Sequence, residues 1–187
     1  MEIRQILKSV TDELAGCFEQ LEEGQLKKLE KEITDAERIF VAGAGRSLLM
    51  VRGLAMRLMH MGYTAYVVGE TVTPAISSKD LLIIASGSGS TATMAVMAKK
   101  CREIGARLAL ITTRVDSPIG RLADVIIEVK TGSSKTEHNA YTTIQPGGNT
   151  FEQSVLLIGD AIVIDLVSTK SLDESNAELM SRHANLE

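Results

Sequence analysis

Residues 80–91 read DLLIIASGSGST. The first half is a short apolar run without polar alternation, the pattern of a strand covered on both faces. The second half is almost entirely Ser, Gly and Thr. A turn needs one or two such residues, so the surplus places hydroxyls and flexible backbone at the end of a buried strand. Four more runs share the texture of the first half: RIFVAG (38–43), AYVVG (65–69), ARLALIT (106–112) and DVIIEV (124–129). Segments of helical character fall between several of them, at 47–61, 91–104 and 117–123. This alternation predicts an α/β fold, a three-layer αβα sandwich around a parallel sheet with right-handed crossovers. Ligands of such sheets sit beyond the carboxyl ends of the strands. Both SGSGST and GAGRS (43–47) fall at such ends.

Outside the strand runs the pattern is helical. Ile3, Ile6, Leu7, Val10, Leu14, Phe18 and Leu21 share one helix face. Gly24 is expected to interrupt it, with a second short helix on Leu26, Leu29 and Ile33. After the fifth strand, KTGSSKTEHNAYTTIQPGGN (130–149) is a long polar stretch, and loops of that length are usually functional or disordered. Thr150 and Gln153 have capping-box spacing, which predicts a helix start near Thr150 with Phe151 and Glu152 in its first turn. The apolar run near 154–168 is broken by Asp160 and Asp165 and reads as a buried helix, not a membrane span. A last helix is expected over 173–182. The expected plan is a single domain: helices over 1–36, an α/β core over 37–130, a site loop over 131–149, and helices and tail over 150–187.

The loops point to an anion. In SGSGST, Gly87 and Gly89 let backbone N–H groups approach a ligand, and Ser86, Ser88, Ser90 and Thr91 add hydroxyls. The helix that follows adds unpaired N–H groups and a positive dipole end. Together these suit a phosphate monoester; the competing reading is a tight turn with a Ser or Thr capping the helix. No Lys follows, so this is not a nucleotide-triphosphate loop. GAGRSL lacks the third glycine of a dinucleotide fingerprint, Leu48 standing in its place. Ser47 and Arg46 fit a second phosphate or hydroxyl contact; Arg46 fits a surface ion pair equally well.

Glu152 follows the polar loop and opens a strongly apolar helix. The dipole there favours the carboxylate, whereas burial raises its pKa. Such a group suits proton abstraction, or it is simply a helix-start glutamate. His60 lies among methionines and reads as a packing or surface residue, and His138 lies in the polar loop. His183, in the tail RHANLE, is either a frayed end or a catalytic group on a docked tail that reaches a neighbouring subunit. No histidine pair has metal-ligand spacing, so no metal is expected. The methionines of MVRGLAMRLMHMG (50–62) suit core or subunit contacts.

Bulk properties narrow the partners. A net charge of −4 over 187 residues argues against nucleic acid. Cys17 and Cys101 form neither a disulfide framework nor a metal spacing, and a reducing cytoplasm is the compartment this usage implies. The N-terminal stretch MEIRQILKSVTDEL does not resemble a secretory or transit peptide.

VAGAGRS and IIASGSGST resemble the sugar isomerase (SIS) domain family. AMRLMHMG, VGE, the proline of TVTPAI, TIQPGG, FEQS and RHANLE narrow the resemblance to its 6-phospho-3-hexuloisomerase branch, over nearly the whole chain. Leu48 and Ser90 depart from the pattern, which often has Gly and a more polar residue there. The resemblance implies a five-stranded flavodoxin-like sheet and a homotetramer with sites at subunit contacts. It implies a phosphosugar substrate, no cofactor, and isomerisation of D-arabino-3-hexulose 6-phosphate to D-fructose 6-phosphate in formaldehyde fixation. It gives Glu152 as base and His183 as the tail histidine, with the Ser/Thr loop, Arg46 and Ser47 holding substrate. Another SIS phosphosugar isomerase, or a phosphosugar-sensing module without catalysis, stays open on this reading.

Overall fold

A computed structural model describes residues 2–131, 143–168, 177 and 179–186. The expected final helix over 173–182 and His138 fall largely or wholly outside these residues, although 177 and 179–181 are helical. Two helices come first, α1 (Ile3–Phe18) and α2 (Glu23–Asp35). Then follow β1 (Ile39–Gly43), α3 (Arg46–His60), β2 (Ala65–Val67), β3 (Leu81–Ala85), α4 (Ala92–Ile104), β4 (Arg107–Thr112), β5 (Val125–Glu128) and α5 (Asn149–Val167).

The five strands form one sheet in the order β2-β1-β3-β4-β5, every pair parallel. Strand order reverses between β1 and β3, so the loops leaving these two strands diverge and leave a crevice. Register keeps the crevice level: Gly43 pairs with Ala85, and Ala85 with Ile111.

Alternation along each strand sends side chains to opposite faces. Ile39, Val41, Ile83, Ile111 and Ile127 pack with α2, α3 and α5 on one face. Phe40, Ala42, Leu82, Ile84, Leu108 and Leu110 pack with Met94, Ala98 and Cys101 of α4 on the other. This two-sided burial is why the central strands read as unbroken apolar runs. Glycines set the spacing of α3 against α5: a Cβ on Gly53 would stand 3.1 Å from Leu156, and one on Gly159 3.3 Å from Leu54. The two helices therefore run side by side in the same direction, both starting at the carboxyl edge of the sheet.

Three local expectations need correction. Residues 117–123 hold only a single 3₁₀ turn, Gly120–Leu122. A Cβ on Gly120 would lie 2.0 Å from the Val115 carbonyl, so the β4–β5 connection is folded too tightly for a helix. Gly24 does not separate the first two helices but lies within the first turn of α2. Thr150 does not cap α5: the N-cap is Gly148, in a left-handed conformation (φ 89°), and the Thr150 hydroxyl faces Gln145 and Glu13 instead.

At the opposite edge, Asp80 is fully buried and accepts two hydrogen bonds from Arg38, Nε to Oδ1 at 3.0 Å and Nη2 to Oδ2 at 2.6 Å. The Ser77 amide and hydroxyl also donate to it, at 2.6 and 2.9 Å. Burial alone would raise its pKa; the bonds from Arg38 and Ser77 outweigh that and hold the carboxyl below the usual range. A carboxyl depressed in the folded state stabilises above its unfolded pKa, and that contribution is lost as pH falls through the folded value. Arg38→Met strands a buried charge and is expected to destabilise the fold by about 3–5 kcal/mol in urea unfolding at neutral pH. Wild-type stability should fall on acidification below about pH 4; an Arg38→Met protein as stable as wild type would contradict this account.

Candidate functional site

The site is built at the carboxyl edge of the sheet from the starts of three helices. α3 begins after only two residues, Ala44 and Gly45. Gly45 is its N-cap with φ 58° and ψ −134°, backbone that suits glycine. A Cβ on Gly43 would stand 2.9 Å from the Leu48 nitrogen, so the first turn of α3 lies directly over the end of β1. Arg46 and Ser47 are thereby set at the rim of the crevice, Arg46 exposed and Ser47 half-buried.

The serine-rich loop is held from behind. The Gly87 carbonyl accepts from the Thr113 amide (3.0 Å) and hydroxyl (2.8 Å) and from the Thr112 hydroxyl (3.1 Å). The Gly89 carbonyl accepts from the Ile119 amide at 3.0 Å. With both glycine carbonyls turned toward the β4–β5 connection, Ser88 and Ser90 lie exposed on the other side. Thr91 is the N-cap of α4, but its hydroxyl makes no capping bond and sits 3.2 Å from the hydroxyl of buried Ser86. The tight turn is present, the Gly89 amide donating to the Ser86 carbonyl at 3.0 Å, but the cap is not: among the described residues no Ser or Thr side chain occupies the N–H groups at the start of α4. The starts of α3 and α5 also lack a side-chain cap. Three positive helix ends face one crevice, an arrangement that favours an anion.

Glu152 stands in the first turn of α5, its side chain 14% exposed. Its Oε2 is 3.2 Å from Arg46 Nε, and Arg46 Nη1 donates to the Asn149 side chain. Phe151 lies against Gly87, where a Cβ would come within 3.3 Å of its ring. These contacts tie α5 to both loops. Yet among the described residues no hydrogen-bond donor is aligned with Glu152 Oε2, which is buried, and the neighbouring Gln153 Oε1 is in the same position. Buried polar oxygens without donors are rare in folded proteins, and functional sites are one place where they occur.

His183 is elsewhere. Its ring stacks on buried His60, centroids 5.3 Å apart, and the adjacent Arg182 donates to the His60 carbonyl at 3.0 Å. His60 ends α3, whereas Arg46 begins it; at 1.5 Å per residue the helix separates them by about 20 Å. One chain thus gathers Arg46, Ser47, the 86–91 loop and Glu152 at one edge and leaves its own His183 at the other. Burial lowers the pKa of His60, with the charges of His183 and Arg57 adding to the effect.

Asn149, Phe151 and the open oxygen of Gln153 were not anticipated. The turn that carries them is polar and irregular, and only the partner 103 residues earlier in sequence gives Asn149 its role. The capping box expected of Thr150 and Gln153 does not form.

Comparison with known proteins gives the family. The family model described as the SIS domain matches residues 32–146, and the chain belongs to that family. Over its whole length the chain is 41% identical to a Mycobacterium gastri protein named 3-hexulose-6-phosphate isomerase, covering 92% of that protein. It is 40% identical to a Bacillus subtilis protein of the same name, with both chains fully covered. A solved structure from Methanococcus jannaschii, reported to infer a molecular function of 3-hexulose-6-phosphate isomerase, superposes with a TM-score of 0.83 at 34% identity, covering 98% of this chain and 99% of that one.

The loop architecture makes a direct prediction. Gly89 has φ 59°, and a Cβ there would lie 2.2 Å from the hydroxyl of buried Ser117. Gly89→Ala is expected to destabilise the protein by about 1–3 kcal/mol, measured by thermal or urea unfolding. Stability equal to wild type would mean that the loop is not held in this shape.

Proposed function

We propose that this protein interconverts D-arabino-3-hexulose 6-phosphate and D-fructose 6-phosphate by acid–base chemistry, the step that follows formaldehyde capture in the ribulose monophosphate pathway. The observation that carries the proposal is the buried Glu152 oxygen, paired with Arg46 and without an aligned hydrogen-bond donor among the described residues, set beside a hydroxyl loop and helix starts that no described side chain caps. The whole-length relatives named for this reaction support the choice of sugar.

The two sugars differ by a carbonyl at C3 or C2. Glu152 takes the C2 proton while O3 gains one, giving a cis-enediol. The O2 proton then leaves as C3 is protonated, and the C2 carbonyl forms. Acid–base groups alone suffice for this route. Arg46 stabilises the carboxylate and, once substrate enters, the charge that grows on O2 and O3. The phosphate is gripped by Ser86, Ser88, Ser90 and Thr91, by the N–H group at Gly87, and by Ser47 across the crevice; the Gly89 amide is held within the loop by the Ser86 carbonyl at 3.0 Å. This grip lies away from the reacting carbons, so its binding energy holds C2 and C3 at Glu152. The 3-ketose cannot form a five-membered ring, because the required O6 carries the phosphate. Fructose 6-phosphate closes through O5 and has to be opened.

Proton transfer between O2 and O3 is assigned to His183 of a neighbouring subunit, in a homotetramer with sites at subunit contacts. Two observations support this. A chain's own His183 is about 20 Å from its Glu152 along α3. Leu49, Met56 and Met59 also form an exposed apolar stripe along α3, a surface suited to a second copy.

Glu152→Gln is expected to bind phosphosugar normally and to lose about 10²–10⁴-fold in kcat, measured by conversion of the hexulose phosphate. Normal turnover would remove Glu152 from the mechanism. Ser88→Ala should raise KM with little change in kcat; a pure kcat effect would contradict a ground-state phosphate grip. A chain ending at Arg182 should remain folded and turn over more slowly, whereas full activity would reduce the tail to a mere terminus.

A further inference from the structure

Glu13 lies on α1, outside the family match and 130 or more residues in sequence from the segment entering α5, yet four donors from that segment converge on its carboxylate. The Ile144 amide donates to Oε1 at 2.9 Å. The Thr143 hydroxyl (2.7 Å), the Gln145 side-chain amide (3.4 Å) and the Thr150 hydroxyl (3.4 Å) reach Oε2. Gln145 also donates to the Thr150 oxygen at 3.1 Å, and the Gln145 backbone amide to the Thr143 oxygen at 3.0 Å. Every hydrogen in this cluster is placed when Glu13 is an ionised acceptor, since each threonine then accepts one bond and gives its own proton to the carboxylate. Gln145 and Thr150 are buried, so these bonds are shielded from water. Burial raises the pKa of Glu13, but the bonds from Thr143, Ile144, Gln145 and Thr150 outweigh it and keep the carboxyl below its ordinary value.

The segment needs such an anchor. Pro146–Gly148 is a turn in which Gly147 and Gly148 both have positive φ (71° and 89°), a pair of the least constrained residues placed just before α5. One turn along α1 from Glu13, the Cys17 thiol meets the Lys130 carbonyl at 3.5 Å, where the chain leaves β5. One face of α1 therefore holds the chain both as it departs the sheet and as it returns to build the site.

We propose that Glu13 is a positioning residue for the isomerisation: by clasping Thr143, Ile144, Gln145 and Thr150 it fixes the start of α5 and hence the place of Glu152. The proposal rests on the reading of Glu152 as the proton carrier. Glu13→Gln replaces an acceptor oxygen with an amide donor facing these donors. It is expected to lower kcat about 10–100-fold, the scale of a misplacement of about 1 Å at a reacting group. KM should stay within about twofold, because the phosphate loop is untouched. Hydrogen exchange at the Ile144 amide should accelerate roughly tenfold or more while that of the central strands is unchanged, a local loss and not a general one. Thr143→Val should show the same signature, and the double variant should be no slower than Glu13→Gln alone.

Wild-type kcat in a folded Glu13→Gln protein overturns the proposal, as do losses that simply multiply in the double variant. If Glu13→Gln fails to fold, Thr143→Val decides alone: reduced kcat with faster Ile144 exchange supports the clasp, and wild-type kcat overturns it. Glu152→Gln run in parallel separates the two claims. An active Glu152→Gln protein removes Glu152 from the chemistry, whereas the Ile144 exchange reports on the clasp without reference to turnover.

Discussion

The close parallel packing of α3 on α5 is the constraint from which the rest of the site follows. Gly53 and Gly159 let the helices approach, and the shared direction brings both starts to the carboxyl edge of the sheet. Two parallel helix dipoles side by side repel where their like ends meet, and at the carboxyl edge of the sheet those are the two positive ends. A carboxylate in the first turn of one, and an anionic ligand beside both, relieve it. Glu152 occupies the first position, and the crevice between the β1 and β3 loops offers the second. Arg46 completes the arrangement by bridging Asn149 and Glu152 from the start of α3.

The division of labour between the two loops has a structural cause. The 86–91 loop is rigid because its glycine carbonyls are bonded to the β4–β5 connection and its apex is pressed against Ser117. A loop held in this way, with outward hydroxyls, suits the proposed phosphate grip because it need not order itself on binding. The α5 start is built differently: it follows a turn with two left-handed glycines and is held by side chains from α3 and, at a distance, from α1. In the proposed function, binding thus falls on backbone fixed by the sheet, and proton transfer on a helix end fixed by side-chain contacts.

Much of this was legible before any coordinates. The central strands announced themselves because both faces are buried, which removes polar alternation. The loops did so because nothing in a simple turn calls for Ser86 to Thr91 in succession. What failed was short-range chemistry overruled by tertiary contacts. Thr150 and Gln153 have the spacing of a capping box, but Glu13 and Gln145 draw the threonine hydroxyl away and a left-handed glycine takes the cap. Residues 117–123 are apolar enough for a helix, yet the short path between two adjacent parallel strands leaves room for only one turn. Glu13 gave no signal at all, since an acid on an amphipathic helix is usually solvated and its partners lie 130 or more residues away. The family resemblance points to His183 as a site residue, but its position at the far end of α3 shows that a single chain does not bring it to Glu152.

The central claim is that Glu152 moves a proton between carbon and solvent-exchangeable positions at C2 and C3. Deuterium exchange measures this directly, by incubating fructose 6-phosphate with the protein in heavy water and following the C3 hydrogen by NMR. The account predicts that the wild-type protein replaces the C3 hydrogen with deuterium and that Glu152→Gln, folded and still binding the sugar phosphate, does so at a rate lower by about 10²-fold or more. Exchange at C3 by Glu152→Gln at the wild-type rate would contradict it.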